Sequence, residues 1–146
     1  MRILLAASFS LLLALSWWGG LLPLFMPCWY LLVSLVTLVT YYRDKRAAER
    51  QAWRVPEATL QGLALLGGWP GALVGQQRFR HKTRKLSFQI VFWLMLLANT
   101  GALVWLHTAP GSQFLREIIA LLTRLVTMEV SASWLRQGLL TLLAYR

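Results

Sequence analysis

A chain of 146 residues that is 58% hydrophobic and only 14% charged, with a mean hydropathy of +0.55, is too apolar for an ordinary soluble domain, where about a quarter of residues are charged. Lys and Arg number 15 against 5 Asp and Glu, and this basic excess points to a membrane surface or another anionic partner. The single cysteine, Cys28, excludes an internal disulfide and any cysteine-based zinc framework.

In chain order, the uncharged stretch Ile3 to Leu22 would cover about 30 Å as a helix, the hydrocarbon thickness of a bilayer, and reads as a first span. The competing reading is a cleaved signal peptide, with Arg2 as a minimal basic region and Ala14-Leu15-Ser16 as the cleavage site. Gly19 to Pro23 forms an outer turn, and Trp17, Trp18 and Trp29 suit that interface. A second span, Leu24 to Tyr41, carries Ser34, Thr37 and Thr40, hydroxyls that can bond back to their own helix or across to another. Tyr41-Tyr42-Arg43 marks the inner interface. Helical spacing from Arg43 to Arg54 puts Arg43, Arg46, Arg50 and Arg54 on one stripe of a surface helix. Val55 precedes a proline and leaves the helical region, Pro56 suits the start of a new helix, and Glu57 is favoured in its first turn by the helix dipole.

The apolar run Ala58 to Leu66 is only about 13 Å long as a helix, too short to cross a bilayer. Gly67-Gly68 ends it as a C-cap, Trp69-Pro70-Gly71 turns it, and Ala72 to Gly75 returns toward the basic run 76–85. Residues 56–77 therefore read as a helical hairpin, either re-entrant or lying on the interface. A third span, 87–106, follows, and 108–112 breaks the chain. From Phe114 to Val130 the apolar positions share one broad arc, so 113–146 reads as an amphipathic tail on an interface, with a crossing left open if Arg124, Glu129 and Arg136 are shielded. The expected fold is an all-α integral membrane protein: a membrane domain over 1–112 with about three transmembrane helices and the hairpin, and a C-terminal amphipathic helix.

Chemistry concentrates in the central block. Arg43, Lys45, Arg46, Arg50, Arg54, Arg78, Arg80, Lys82, Arg84 and Lys85 lie there with Asp44, Glu49 and Glu57, a net of seven positive charges. Short loops so charged stay on the cytoplasmic side. Each Lys or Arg near an anionic leaflet contributes about 1 kcal/mol, so lipid headgroups are one expected partner; RNA is the other, through phosphate pairing and stacking on Trp53, Phe79 and Phe88. Asp44, Lys45, Arg54, Glu57, His81 and Lys82 form a candidate polar cluster, open to mutual neutralisation, to an anion site or to proton transfer. No residue is assigned as catalytic. GGWPG lacks the Lys-Ser/Thr of a phosphate loop and is taken as turn geometry; Cys28, His81 and His107 have no metal-ligand spacing, and no cofactor is expected. The expectation is a non-enzymatic structural or binding module. The alternative is a membrane-embedded enzyme or small-solute transporter using Asp44, Glu57 and His81.

Tyr42-Arg43-Asp44-Lys45-Arg46-Ala47-Ala48, Trp53-Arg54-Val55-Pro56-Glu57, Gly67-Gly68-Trp69-Pro70-Gly71-Ala72, and Arg80-His81-Lys82-Thr83 with Lys85 and Phe88 occur in this order. Over about residues 30 to 100 the chain thereby resembles the domain of unknown function 1294 family, small bacterial membrane proteins. The resemblance implies location in the bacterial cytoplasmic membrane and no established activity, substrate or cofactor. Some relatives carry a cold-shock domain, an association that hints at RNA. The tail beyond Gly111 lies outside that pattern.

Overall fold

The first helix stops short of the expected boundary because glycine stops it. In a computed structural model of the protein, which describes residues 1–79, 85–129 and 133–144, α1 runs Arg2–Trp18. Gly20 takes φ 70°, its N–H donates to Trp17 O (3.0 Å), and Leu21 N–H reaches Ser16 O (2.9 Å). This is a Schellman termination, so 19–24 form the turn and the apolar segment expected to reach Leu22 ends at Trp18.

Helix α2, Phe25–Glu49, carries the second apolar segment and the first basic residues in one continuous rod. It closes the same way one step later: Gln51 adopts φ 52°, Gln51 N–H points to Ala48 O (3.5 Å) and Ala52 N–H to Ala47 O (2.9 Å). The expected helical stripe Arg43, Arg46, Arg50, Arg54 is therefore corrected. Arg43 and Arg46 are on α2, Arg50 is in the closing turn, and Arg54 is in the non-helical segment before Pro56. Thr37 and Thr40 donate back to Val33 O and Val36 O (both 2.7 Å) rather than across to another helix.

The hairpin consists of α3, Glu57–Leu63, a π-helical segment Ala64–Gly68, and α4, Trp69–Phe79. The chain reverses at Gly67, whose φ of 108° only glycine tolerates readily. Trp69, Pro70 and Gly71 are not the turn, as expected from their composition; they begin α4, where the missing N–H of Pro70 costs nothing. Helix α5 is Leu86–Leu106, α6 is Ala109–Glu129 and α7 is Ser133–Leu143. Thr108 caps α6, accepting Gly111 N–H at 3.4 Å, which shortens the expected break to His107 and Thr108.

The described residues are 87% helical and contain no strand. α2 and α5 are long and apolar enough to cross a membrane, and α1 is a shorter apolar helix. Two compact units divide the chain. One comprises Met1–Leu12 and Trp29–Thr100, with Tyr41, Leu60, Leu73, Phe88 and Phe92 fully buried. The other comprises Leu13–Cys28 and Gly101–Arg146; in it Leu22 is buried, His107 Nε2 lies 3.2 Å from Ser16 Oγ, and the Trp105 and Phe114 rings pack 5.7 Å apart.

Candidate functional site

Glycine decides how α4 meets α2. A Cβ on Gly71 would sit 1.9 Å from the Ser34 carbonyl oxygen, one on Gly68 2.0 Å from Thr37 Oγ1, and one on Gly75 3.0 Å from Tyr41 Cβ. Gly71 and Gly75 thus let the two helix backbones approach closely, as small residues four apart do in helix pairs within membranes. That close approach puts the polar residues of α4 against α1, α2 and α5 at two levels.

At one level, Gln76 of α4 is completely buried and central. Its Oε1 accepts from the Arg2 guanidinium and from Gln89 Nε2 (3.3 Å), and its Nε2 donates to Tyr41 Oη (3.1 Å). Arg2 Nη2 also donates to Gln89 Oε1 (2.9 Å), and Ile3 N–H to Gln77 Oε1 (2.9 Å). Asp44, also completely buried, accepts Val55 N–H (3.0 Å) and lies 3.8 Å from Arg54 Nε. Lys85, just before α5, pairs with Glu57 at the start of α3, at 2.8 and 3.0 Å.

At the other level, Asn99 Oδ1 accepts from Tyr30 Oη (2.7 Å) and Trp69 Nε1 (3.1 Å), and Nδ2 donates to Leu65 O (2.7 Å). Trp29 Nε1 donates to Leu66 O (2.9 Å). The carbonyls freed where the helix breaks at Gly67 are thereby satisfied. Phe9 fills in from α1, 4.3 Å from the Trp69 ring and 5.2 Å from Tyr30. Along α1, α2, α4 and α5 the two levels stand roughly 10 to 17 Å apart at 1.5 Å per residue. The hairpin leaves from the Glu57 level, turns beside Asn99, and comes back to the Gln76 level.

The expected cluster is thus divided. Asp44 meets Arg54, Glu57 meets Lys85, and Lys45 faces Glu49 at 3.7 Å on the exposed side of α2 instead of joining Asp44. His81 and Lys82, with Arg80 and Arg84 of the basic surface, lie outside the described residues. Among the described residues no group of three His, Cys, Asp or Glu side chains comes together that could hold a metal ion. Sequence reasoning passed over Arg2, Tyr41, Gln76, Gln89, Tyr30 and Asn99. The available signal was an amide inside an apolar helix, since a polar side chain there needs a partner.

The model of the family described as "Protein of unknown function (DUF1294)" matches residues 34–88. "Uncharacterized protein YsdA" of Bacillus subtilis (strain 168) is 36% identical over 67 residues, covering 46% of this chain and 74% of that protein. The chain belongs to the DUF1294 family. No solved structure matches it. The DUF1294 segment contains Asp44, Glu57, the glycines of the hairpin and Gln76, whereas the side chains that clamp its two levels, Arg2 and Asn99, come from outside it.

Proposed function

We propose that this DUF1294 protein is an integral protein of the bacterial cytoplasmic membrane, a binding and scaffolding module whose basic face engages anionic lipid headgroups. One observation carries the reading: the acids of the central block are occupied within the fold, while three of its described arginines, Arg43, Arg50 and Arg78, are not. Asp44, Glu49 and Glu57 are taken up by Arg54, Lys45 and Lys85. The side chains of Arg43, Arg50 and Arg78 are exposed and make no hydrogen bond or ion pair among the described residues. Their charge calls for anions from outside.

The exposed surface of α1, α2 and α5 supports lipid as the surrounding phase, with Leu11, Leu12, Leu31, Leu32, Leu94 and Leu97 each more than half exposed. Trp53, 93% exposed beside Arg54, is the kind of aromatic that anchors at headgroup level. On this reading the hairpin enters from the cytoplasmic face and returns to it, its irregular backbone covered by α2 and α5. Against an enzyme or transporter centred on Asp44 stands the enclosure of that carboxylate by Val55 N–H and Arg54.

Two measurements test the proposal. Alkaline carbonate washing leaves the protein in the membrane pellet; release into the supernatant defeats the membrane reading. Detergent-purified chain diluted into vesicles prefers phosphatidylcholine containing phosphatidylglycerol over phosphatidylcholine alone, and the Arg43→Gln/Arg50→Gln/Arg78→Gln variant loses about 1 kcal/mol of that preference per arginine at low salt. Equal capture of wild type and variant rejects the headgroup reading, and RNA recovered by crosslinking in cells would replace it.

A further inference from the structure

Resting on the membrane reading just proposed, we infer that Tyr42, Arg46, Arg78 and Phe79 form a discrete seat for the phosphate of one anionic phospholipid, with an acyl chain running along Leu35 and Val39. The argument starts from the register of α2. Leu35, Val39, Tyr42 and Arg46 fall at offsets of four, seven and eleven, a single stripe of a helix. Leu35 (53%), Val39 (54%) and Tyr42 (42%) are all exposed, so the described residues leave this stripe open along its length. It passes from aliphatic to phenolic to cationic along its length, which is the order of chain, glycerol region and phosphate in a phospholipid.

The cationic end is preorganised. Helical side chains lean toward the N-terminus, and Arg46 folds back so that its Nε donates to Tyr42 Oη (2.9 Å) with the guanidinium 5.3 Å from the ring centroid. Its two terminal amino groups make no hydrogen bond among the described residues, leaving the planar fork that matches a phosphate. The Phe79 ring of α4 packs 5.7 Å from Tyr42, which brings the end of α4 to the same place, and the exposed Arg78 directly precedes Phe79 on that helix. The acids of the block are paired elsewhere, so no carboxylate competes for this fork. A nucleic acid would use the charge and leave the aliphatic part of the stripe without a partner; a phospholipid uses both.

The test uses full-length protein in detergent micelles, titrated with phosphatidylglycerol or phosphatidylcholine and read by native mass spectrometry. Wild type retains one phosphatidylglycerol per chain and prefers it over phosphatidylcholine about ten-fold. Arg46→Gln removes that preference, and Arg46→Lys, which keeps the charge without the fork and the stacking, also weakens it several-fold. Arg50→Gln, one turn beyond Arg46 and without a contact to Tyr42 or Phe79 among the described residues, leaves single-lipid retention within about two-fold while still lowering vesicle attraction, because a vesicle sums over all surface charges. Both positions are exposed, and helicity by circular dichroism confirms folding. Equal losses in Arg46→Gln and Arg50→Gln, or an Arg46→Lys variant that binds like wild type, overturn the seat and leave general attraction to anionic membranes standing. A wild-type chain with no preference for charged vesicles fails the wider reading instead.

Discussion

Asp44 and Glu57 are both acids of one basic block, yet their surroundings give them different weight. Glu57 and Lys85 are each more than a third exposed, and a pair so open to water contributes less than about 1 kcal/mol. Asp44 has no exposed surface and holds the backbone N–H of Val55, so removing its carboxylate leaves that part-buried donor unpaired and takes the partner from the half-exposed Arg54. Asp44→Ala is therefore expected to cost about 2–3 kcal/mol, and Asp44→Asn, which can still accept from Val55, roughly half of that. Thermal unfolding in detergent checks both. If Asp44→Asn unfolds like wild type while a cellular phenotype disappears, the carboxylate serves a reaction or a ligand and its structural role is secondary. No feature of the sequence separates these two acids, because burial depends on the segment 52–56 folding back over the end of α2, and that return is set by Gln51 taking a left-handed conformation usual for glycine.

At the level of elements, the helices were readable where apolar runs ended at glycine, proline or a charge. α5 was expected over 87–106 and forms over Leu86–Leu106. The interior of the hairpin was harder to read. Gly-Gly-Trp-Pro-Gly has the composition of a turn, and the reversal uses only Gly67, while the remaining glycines act as contact surface against α2. The distinction is tertiary, since a glycine needed for φ and a glycine needed for closeness look alike in sequence. Gly71 and Gly62 turn this into a paired prediction. A Cβ at Gly71 collides with backbone that cannot rotate away, so Gly71→Ala is expected to destabilise by about 3 kcal/mol or more. At Gly62 a Cβ meets nothing within 4 Å, and Gly62→Ala near the end of α3, where the chain runs on helically into Ala64, should stabilise by roughly 0.5–1 kcal/mol. Unfolding midpoints moving in the same direction for both variants would mean that α4 does not pack on α2 as described.

For the molecule as a whole, the polar side chains form levels, and the levels say which chain ends lie side by side. Arg2 opens α1 and Gln89 lies near the start of α5, and both bond to Gln76 near the end of α4; Gln76 in turn bonds to Tyr41 in the later part of α2. Hydropathy alone made the hairpin too short to cross but could not show what received it, because Arg2, Gln89 and Asn99 are far apart in the chain and meet only when α1, α2 and α5 assemble around it. Under the membrane reading this arrangement has one topological consequence. The start of α1, the segment after α2 and the end of α4 must share an aqueous side, since a single layer of hydrogen bonds cannot straddle a bilayer about 30 Å thick. Single cysteines at Gln51 and Gln77, both exposed, in a chain with Cys28 replaced by serine, should therefore react with a membrane-impermeant maleimide from the same face, the cytoplasmic one. Labelling is to be read in intact cells and again in inverted vesicles. Protection of both sites in cells with reaction of both in inverted vesicles is the expected pattern, and a pair that reacts from opposite faces would make the hairpin a true crossing and contradict the Gln76–Tyr41 hydrogen bond that ties the end of α4 to the later part of α2.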